Sequence, residues 1–153
     1  MLPISSNVAR AHVVCPEIDA AALYARGMAF SAAGDGAAAA LWLRLAAEFN
    51  HAPAQFDLGL HYASGENRDN QAAFMWIRRA ADLGHARAQY WLARCYFLGI
   101  GTKKSYGLAY RWSVAACAQG FPDTGQIRSA AAAFLSEAER REYDAAVIVF
   151  SRD

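Results

Sequence analysis

The sequence predicts an all-α protein: a solenoid of stacked antiparallel helix pairs, about three and a half repeats plus a C-terminal capping helix. Three observations carry that prediction. The phrase "AEFNHAPAQFDLG" at 47–59 is almost rewritten 34 residues later as "ADLGHARAQYWLA" at 81–93. Trp42, Trp76 and Trp112 stand in a common frame, with alanine three residues before and four after each. The stretches between frames vary in length while the frames do not, as when packed helices fix one spacing and surface turns absorb change.

In chain order, residues 1–16 show no pattern, and 17–153 read as one domain. The stretch "AALYARGMAFSAAG" (21–34) fits the frame through Ala22, Gly27 and Phe30. It departs at Arg26, where later copies have leucine, as suits a first repeat with no neighbour on one side. The second helix of each pair carries the tryptophan. Ala39, Trp42 and Ala46, then Ala73, Trp76 and Ala80, then Ala109, Trp112 and Ala116 are spaced to share one helical face. Eight residues beyond each tryptophan come Asn50, Gly84 and Gly120, types that tolerate the left-handed conformation ending a helix. The next first helices are "APAQFDLGLHYASG" (52–65) and "ARAQYWLARCYFLG" (86–99). Ala54, Leu58 and Tyr62, like Ala88, Leu92 and Tyr96, form core stripes at helical period. Gly59 sits beside its stripe, where a missing side chain lets another helix approach. From stripe alanine to tryptophan the spacing grows from 20 to 22 to 24 residues, and from tryptophan to the next stripe it stays at 12. Insertions therefore collect in "GDG", "GENRDN" and "GIGTKKS". The repeats run at about 20–51, 52–85 and 86–121, with a partial repeat and cap at 122–150. Ser136 and Glu139 have capping-box spacing and mark the last helix start.

The pattern resembles the Sel-one-like repeat (SLR) family, a relative of the tetratricopeptide repeat. The residues that carry the resemblance are Ala54, Leu58-Gly59, Tyr62, Ala73, Trp76 and Ala80-Ala81, with the loop Gly99-Ile100-Gly101 in the third copy. It implies a right-handed α-solenoid whose first helices line the concave surface. It also implies a scaffold or regulator of the kind found in bacteria rather than an enzyme. Cysteine-rich members pair the position of Cys117 with one eight residues on. Here that position is Gly125, so this pairing cannot form.

Composition narrows the function classes. Lys+Arg number 15 against 14 Asp+Glu, a net charge of +1, which argues against nucleic acid, whose binding rests on clustered cations. No stretch approaches the ~18 charge-free apolar residues of a membrane span, and the start lacks a recognisable signal peptide, so a cytoplasmic location is expected. Cys15, Cys95 and Cys117 are odd in number, without metal-ligand spacing, and read as free thiols. His51 and His85 share one repeat position just after the helix stop and read as turn residues; His12 and His61 suggest no chemistry. "GIGTKKSYG" (99–107) lacks the spacing of a phosphate loop. No catalytic residue, cofactor or metal is therefore assigned.

The residues best suited to a partner lie off the core stripe: Phe56, Leu60, Tyr90, Trp91, Arg94 and Phe97. Tyr24, Phe56 and Tyr90 recur at one repeat position, which favours packing between repeats for these three. Trp91, Arg94 and Phe97 are not repeated in kind, and aromatic residues with arginine dominate binding hot spots. The reading is a non-enzymatic adaptor holding a partner peptide or helix on the concave face, with homodimerisation an open alternative. A β-lactam-binding or hydrolysing relative and a self-assembling structural subunit are the competing readings. The consecutive apolar "VIVF" (147–150) is a second contact surface, against the body, "HVVC" (12–15) or a twin subunit.

Overall fold

The computed structural model describes residues 17–64, 68–122 and 124–150, the last four of these as backbone only. Among the described residues there are eight helices and no strand: α1 (Ala20–Ala32), α2 (Gly36–Glu48), α3 (Ala52–Ala63), α4 (Asn70–Asp82), α5 (Ala86–Leu98), α6 (Tyr106–Ala118), α7 (Thr124–Ala132) and α8 (Glu137–Phe150). Cys15, His12 and the "HVVC" stretch lie outside the described residues, as do the side chains of "VIVF".

Helices α1 to α6 and α8 each begin on a side chain that satisfies otherwise orphaned backbone N–H groups. Asp19, Asp35, Asp69 and Ser105 do so for α1, α2, α4 and α6. His51 and His85 do so for α3 and α5, each accepting through Nδ1 from the backbone N–H three residues on, at 3.3 and 3.2 Å. Ser136 and Glu139 close a reciprocal capping box at the start of α8. Asn50, Gly84 and Gly120 all have positive φ. Each precedes a residue whose N–H returns to the carbonyl of Ala46, Ala80 or Ala116, so α2, α4 and α6 end in the same way.

The variable loops are closed by one recurring bond. The N–H of Asp35, Asp69 and Ser105 donates to the carbonyl of Phe30, Tyr62 and Tyr96. The chain between these anchors can lengthen without moving the helices, which is why insertions gather there.

Helices pack on their sequence neighbours from α1 to α7, while α8 turns back onto α6. There the Tyr110 hydroxyl donates to Asp144 at 3.0 Å and Tyr143 packs on the core. The core is made largely of alanine, so helix axes lie close: Ala46, Ala54, Ala80, Ala88, Ala109 and Ala116 are fully buried. At Gly59, an added Cβ would stand 2.7 Å from Ile77 Cγ1 and 3.2 Å from the Ala73 carbonyl. The first repeat pairs Gly27 with Leu43 in the same way. In the third, Ala93 takes the glycine's position and Ser113 the isoleucine's, so bulk is redistributed between the two helices.

The tryptophan column departs from the sequence expectation. Trp42, Trp76 and Trp112 are half-buried, and the residue after each (Leu43, Ile77, Ser113) is the buried one. The frame's alanines are buried, and the buried stripe of the second helix takes in the residue after each tryptophan rather than the tryptophan itself. Their rings lie at its border, where an indole can pack on one face and carry a cation on the other. The guanidinium of Arg26 lies 5.0 Å over Trp42 and that of Arg79 lies 4.7 Å over Trp76. Of the other positions assigned to the repeat core, Ala39, Leu58, Ala73, Leu92 and Tyr96 are buried and Tyr62 is half-buried.

Candidate partner-binding surfaces

The first-helix face is built by α3 and α5. Tyr24, Phe56 and Tyr90 each pack on the residue that closes their own repeat, ahead of the next first helix: His51 at 4.8 Å, His85 at 5.1 Å and Phe121 at 5.2 Å between ring centroids. Tyr24 also donates its hydroxyl to Asp57 at 2.8 Å. Burial, with that bond, raises its pKa to about 12, so it is a fixed phenol. Phe56 is only 1% exposed. Its assignment to the partner-facing set is therefore corrected: it belongs to the packing between repeats, with its ring 6.5 Å from Trp91. Tyr90 is half-buried in the equivalent contact.

The remaining residues are half-buried and carry different surroundings. Leu60 packs on the core. Phe97 lies in an aromatic group with Tyr106 at 5.5 Å and Phe134 at 6.4 Å. Trp91 and Arg94 act as a pair, with the guanidinium 4.7 Å over the indole. Both line a cavity of about 190 Å³ closed on its other side by Asn70, Phe74 and Ile100. Cys95 lines the same cavity, and burial pushes its thiol up to about 11, away from the thiolate that a nucleophile needs.

The second-helix side carries a larger feature that no sequence expectation named. A cleft of about 580 Å³ runs between α4 and α6, with α5 as its floor. Arg78 and Asp82 line one wall, and Leu108, Arg111, Trp112 and Ala115 the other. At one end the Gln119 amide donates to Gln89 at 2.7 Å, and Gln89 donates to the Ala81 carbonyl at 3.3 Å. Arg78 and Asp82 approach to 3.9 Å, both more than half exposed. The position three residues after the tryptophan differs in every copy: Leu45 in α2, Arg79 in α4 and Ala115 in α6. Arg79 covers Trp76, with its guanidinium 4.7 Å from the ring, while that of Arg111 lies 5.9 Å from the Trp112 ring.

His51 and His85 are occupied as helix caps. Burial lowers the His85 pKa, which keeps Nδ1 as an acceptor for Ala88. Among the described residues, no group of three or more His, Cys, Asp or Glu is placed to hold a metal, and no helix is long and apolar enough to cross a membrane.

Comparison with known proteins agrees with this geometry. A family model described as the Sel1 repeat matches residues 52–85 and 86–121. The crystal structure of a Sel1 repeat protein from Oxalobacter formigenes superposes with a TM-score of 0.67 at 37% identity, covering 72% of this chain and 88% of that one. The chain belongs to the Sel1-repeat family. A protective antigen of uropathogenic Escherichia coli, described as displaying an SLR fold, superposes with a TM-score of 0.74 at 28% identity. That match covers 82% of this chain but only 28% of the antigen, so this Sel1-repeat chain spans less than a third of that longer protein. No curated protein matches. Sel1 repeats are in general protein–protein interaction modules and typically non-catalytic.

Proposed function

We propose that this Sel1-repeat protein is a non-enzymatic adaptor that holds a segment of a partner protein on the concave face of its first helices. The observation that carries the reading is the Trp91–Arg94 pair, stacked, half-exposed and set over the cavity of about 190 Å³. A planar cation on an indole offers apolar area and hydrogen-bond donors together, the combination found at binding hot spots. The test is capture of partners from cells by wild type and by Arg94→Ala with Trp91→Phe. This pair keeps an aromatic ring on the core and removes the cation. The reading requires loss of captured protein with a nearly unchanged melting temperature; undiminished capture contradicts it.

A specific observation favours a second reading, self-association. Leu41, Leu45 and Phe49 form a stripe along α2 and are 68, 43 and 47% exposed. They are spaced four residues apart and so share one face. Sedimentation of wild type against Leu41→Glu with Leu45→Glu tests it. A dimer that the double variant dissociates supports the stripe as an interface, and a monomeric wild type removes it.

A further inference from the structure

The cavity beside the Trp91–Arg94 pair has a size and a charge that select what enters it. We propose that it takes one large apolar side chain from an internal segment of a partner protein, with a neighbouring aspartate or glutamate of that segment held by Arg94 and Arg68. This rests on the reading of the first-helix face as the partner site and adds the chemistry of what is held there.

Size selects the side chain. The cavity measures about 190 Å³. Small-molecule sites run from about 300 Å³ upward, while an apolar cavity of about 150 Å³ holds one benzene ring. The space therefore suits a single residue such as leucine or phenylalanine. Ala73, Phe74, Ile77 and Ile100 line it beside the Trp91 indole, and Ala73 and Ile77 are buried. Leu60 and Phe97 lie outside the lining on the same two helices, half-buried, and give the chain a surface to follow as it leaves.

Charge selects the neighbour. Arg68 and Arg94 both line the cavity, and among the described residues no aspartate or glutamate does. Arg94 stacks on the indole, a contact that leaves the guanidinium its charge and its N–H donors. Arg68 donates its Nε to the side-chain oxygen of Asn70 at 3.0 Å, a neutral partner. The Asn70 NH2 group is a further donor at the same wall. Asp69, the carboxylate next in the chain, accepts from the backbone N–H groups of Gln71 and Ala72. Cys95 is held as the neutral thiol by burial. Two guanidiniums and an amide thus border an apolar space without an anion, and a planar carboxylate is the group they fit.

The combination belongs to one repeat. At the positions of Trp91 and Arg94, the second repeat has Asp57 and Leu60, and the first has Ala25 and Met28. Asp57 accepts from the Tyr24 hydroxyl at 2.8 Å, so the second repeat presents an anion there and no cation. An acidic segment is directed to the third repeat.

The test uses heptapeptides enriched on the wild-type protein from a random display library, synthesised with acetylated and amidated ends and measured by fluorescence anisotropy. Enriched sequences should place aspartate or glutamate within two residues of leucine, isoleucine or phenylalanine. Exchanging that acid for its amide should weaken binding by about tenfold, the scale of a lost hydrogen bond between charged groups. Arg68→Gln, at an exposed position ahead of α4, should weaken the acidic peptide by about threefold or more and leave the amide peptide within about twofold. Loss of binding in Trp91→Phe with Arg94→Ala, but no effect of Arg68→Gln or of the acid-to-amide exchange, would overturn the acidic occupant and leave the face as the partner site. Equal binding to wild type and that double variant, enrichment of basic peptides, or no enrichment over an unrelated protein overturns the proposal. Affinity that appears only with a free C-terminal carboxylate also overturns it, since the occupant is then a chain end.

Discussion

The groove between α2 and α4 and the cleft between α4 and α6 are made from equivalent positions of consecutive repeats. In the first, the wall contributed by α4 presents Met75, Arg79 and Leu83; in the second, the wall contributed by α6 presents Arg111, Ala115 and Gln119. Beneath them lie Gln55 and Gln89, both buried, each donating an amide N–H to the carbonyl of Ala47 or Ala81. The Gln89 oxygen is satisfied by Gln119. The Gln55 oxygen has no partner among the described residues, and Leu83 occupies the position from which Gln119 donates. The shared positions hold the repeat together, and the unshared ones decide what each groove can do. The first buries an indole face beneath a cation, while the second leaves volume, charge and a completed amide chain.

This comparison can be broken at its walls, and the buried residues give the largest effect. Ile77→Ala removes a fully buried side chain of α4 that packs against Gly59 and should cost about 2–5 kcal/mol by chemical denaturation. Ser113→Ala at the equivalent position of the third repeat deletes one hydroxyl, bonded to the Tyr110 carbonyl at 2.6 Å, and should cost about 1 kcal/mol. Equal losses would show that the two repeats do not differ in packing. Gly59→Ala should destabilise by about 1–3 kcal/mol despite its gain in helix propensity, because the new methyl meets Ile77. Combined with Ile77→Ala, it should cost less than the sum of the two single changes, since the clashing atom is gone.

The groove surfaces give smaller effects. Leu83→Gln copies Gln119 into the first groove and offers the Gln55 oxygen a donor; stability should rise by about 0.5–1.5 kcal/mol. An unchanged or lower stability would mean that the groove is not the counterpart of the second. Arg79→Ala should cost about 0.5–1 kcal/mol through loss of the cation over Trp76 and should increase quenching of tryptophan fluorescence by acrylamide. The smallest effect is a pH dependence. Burial holds the His85 pKa below its ordinary value, so on acidification the unfolded chain takes up the proton first. The stability present above about pH 6.5 is then lost as the pH falls toward the folded value. His85→Asn keeps a capping side chain without a titrating group, and its melting temperature should fall less than wild type between pH 7 and pH 5.

The repeat frame was legible because helical geometry fixes it. Ala54 and Leu58, like Ala88 and Leu92, recur at the helical period and are buried as that period requires. The side of each tryptophan was not legible. Spacing of −3, 0 and +4 fits a helical face, and its alanines are buried, but Leu43 and Ile77 rather than the tryptophans complete that face. An indole can serve at the border when an arginine covers it, and spacing does not reveal that cover. Phe56 recurs in kind with Tyr24 and Tyr90, and each packs on the residue at the junction with the next repeat. The cleft escaped notice because it is defined by a difference at an outward position, Arg79 against Ala115, whereas aligning repeats draws attention to what they share.

The central claim is that departures from the repeat, rather than the repeat itself, make the contact surfaces. The most direct measurement uses the indole N–H resonances of Trp42, Trp76, Trp91 and Trp112, followed by NMR as a heptapeptide selected on the wild-type protein from a random display library is added. Trp91 reports a position that the repeats do not share, and Trp42, Trp76 and Trp112 report the shared column. The account predicts a large shift at Trp91, with Trp42, Trp76 and Trp112 little changed, and the Trp91 shift lost in Arg94→Ala. A shift at Trp76 equal to that at Trp91 would contradict it, because the repeat-shared positions would then be the ones that bind.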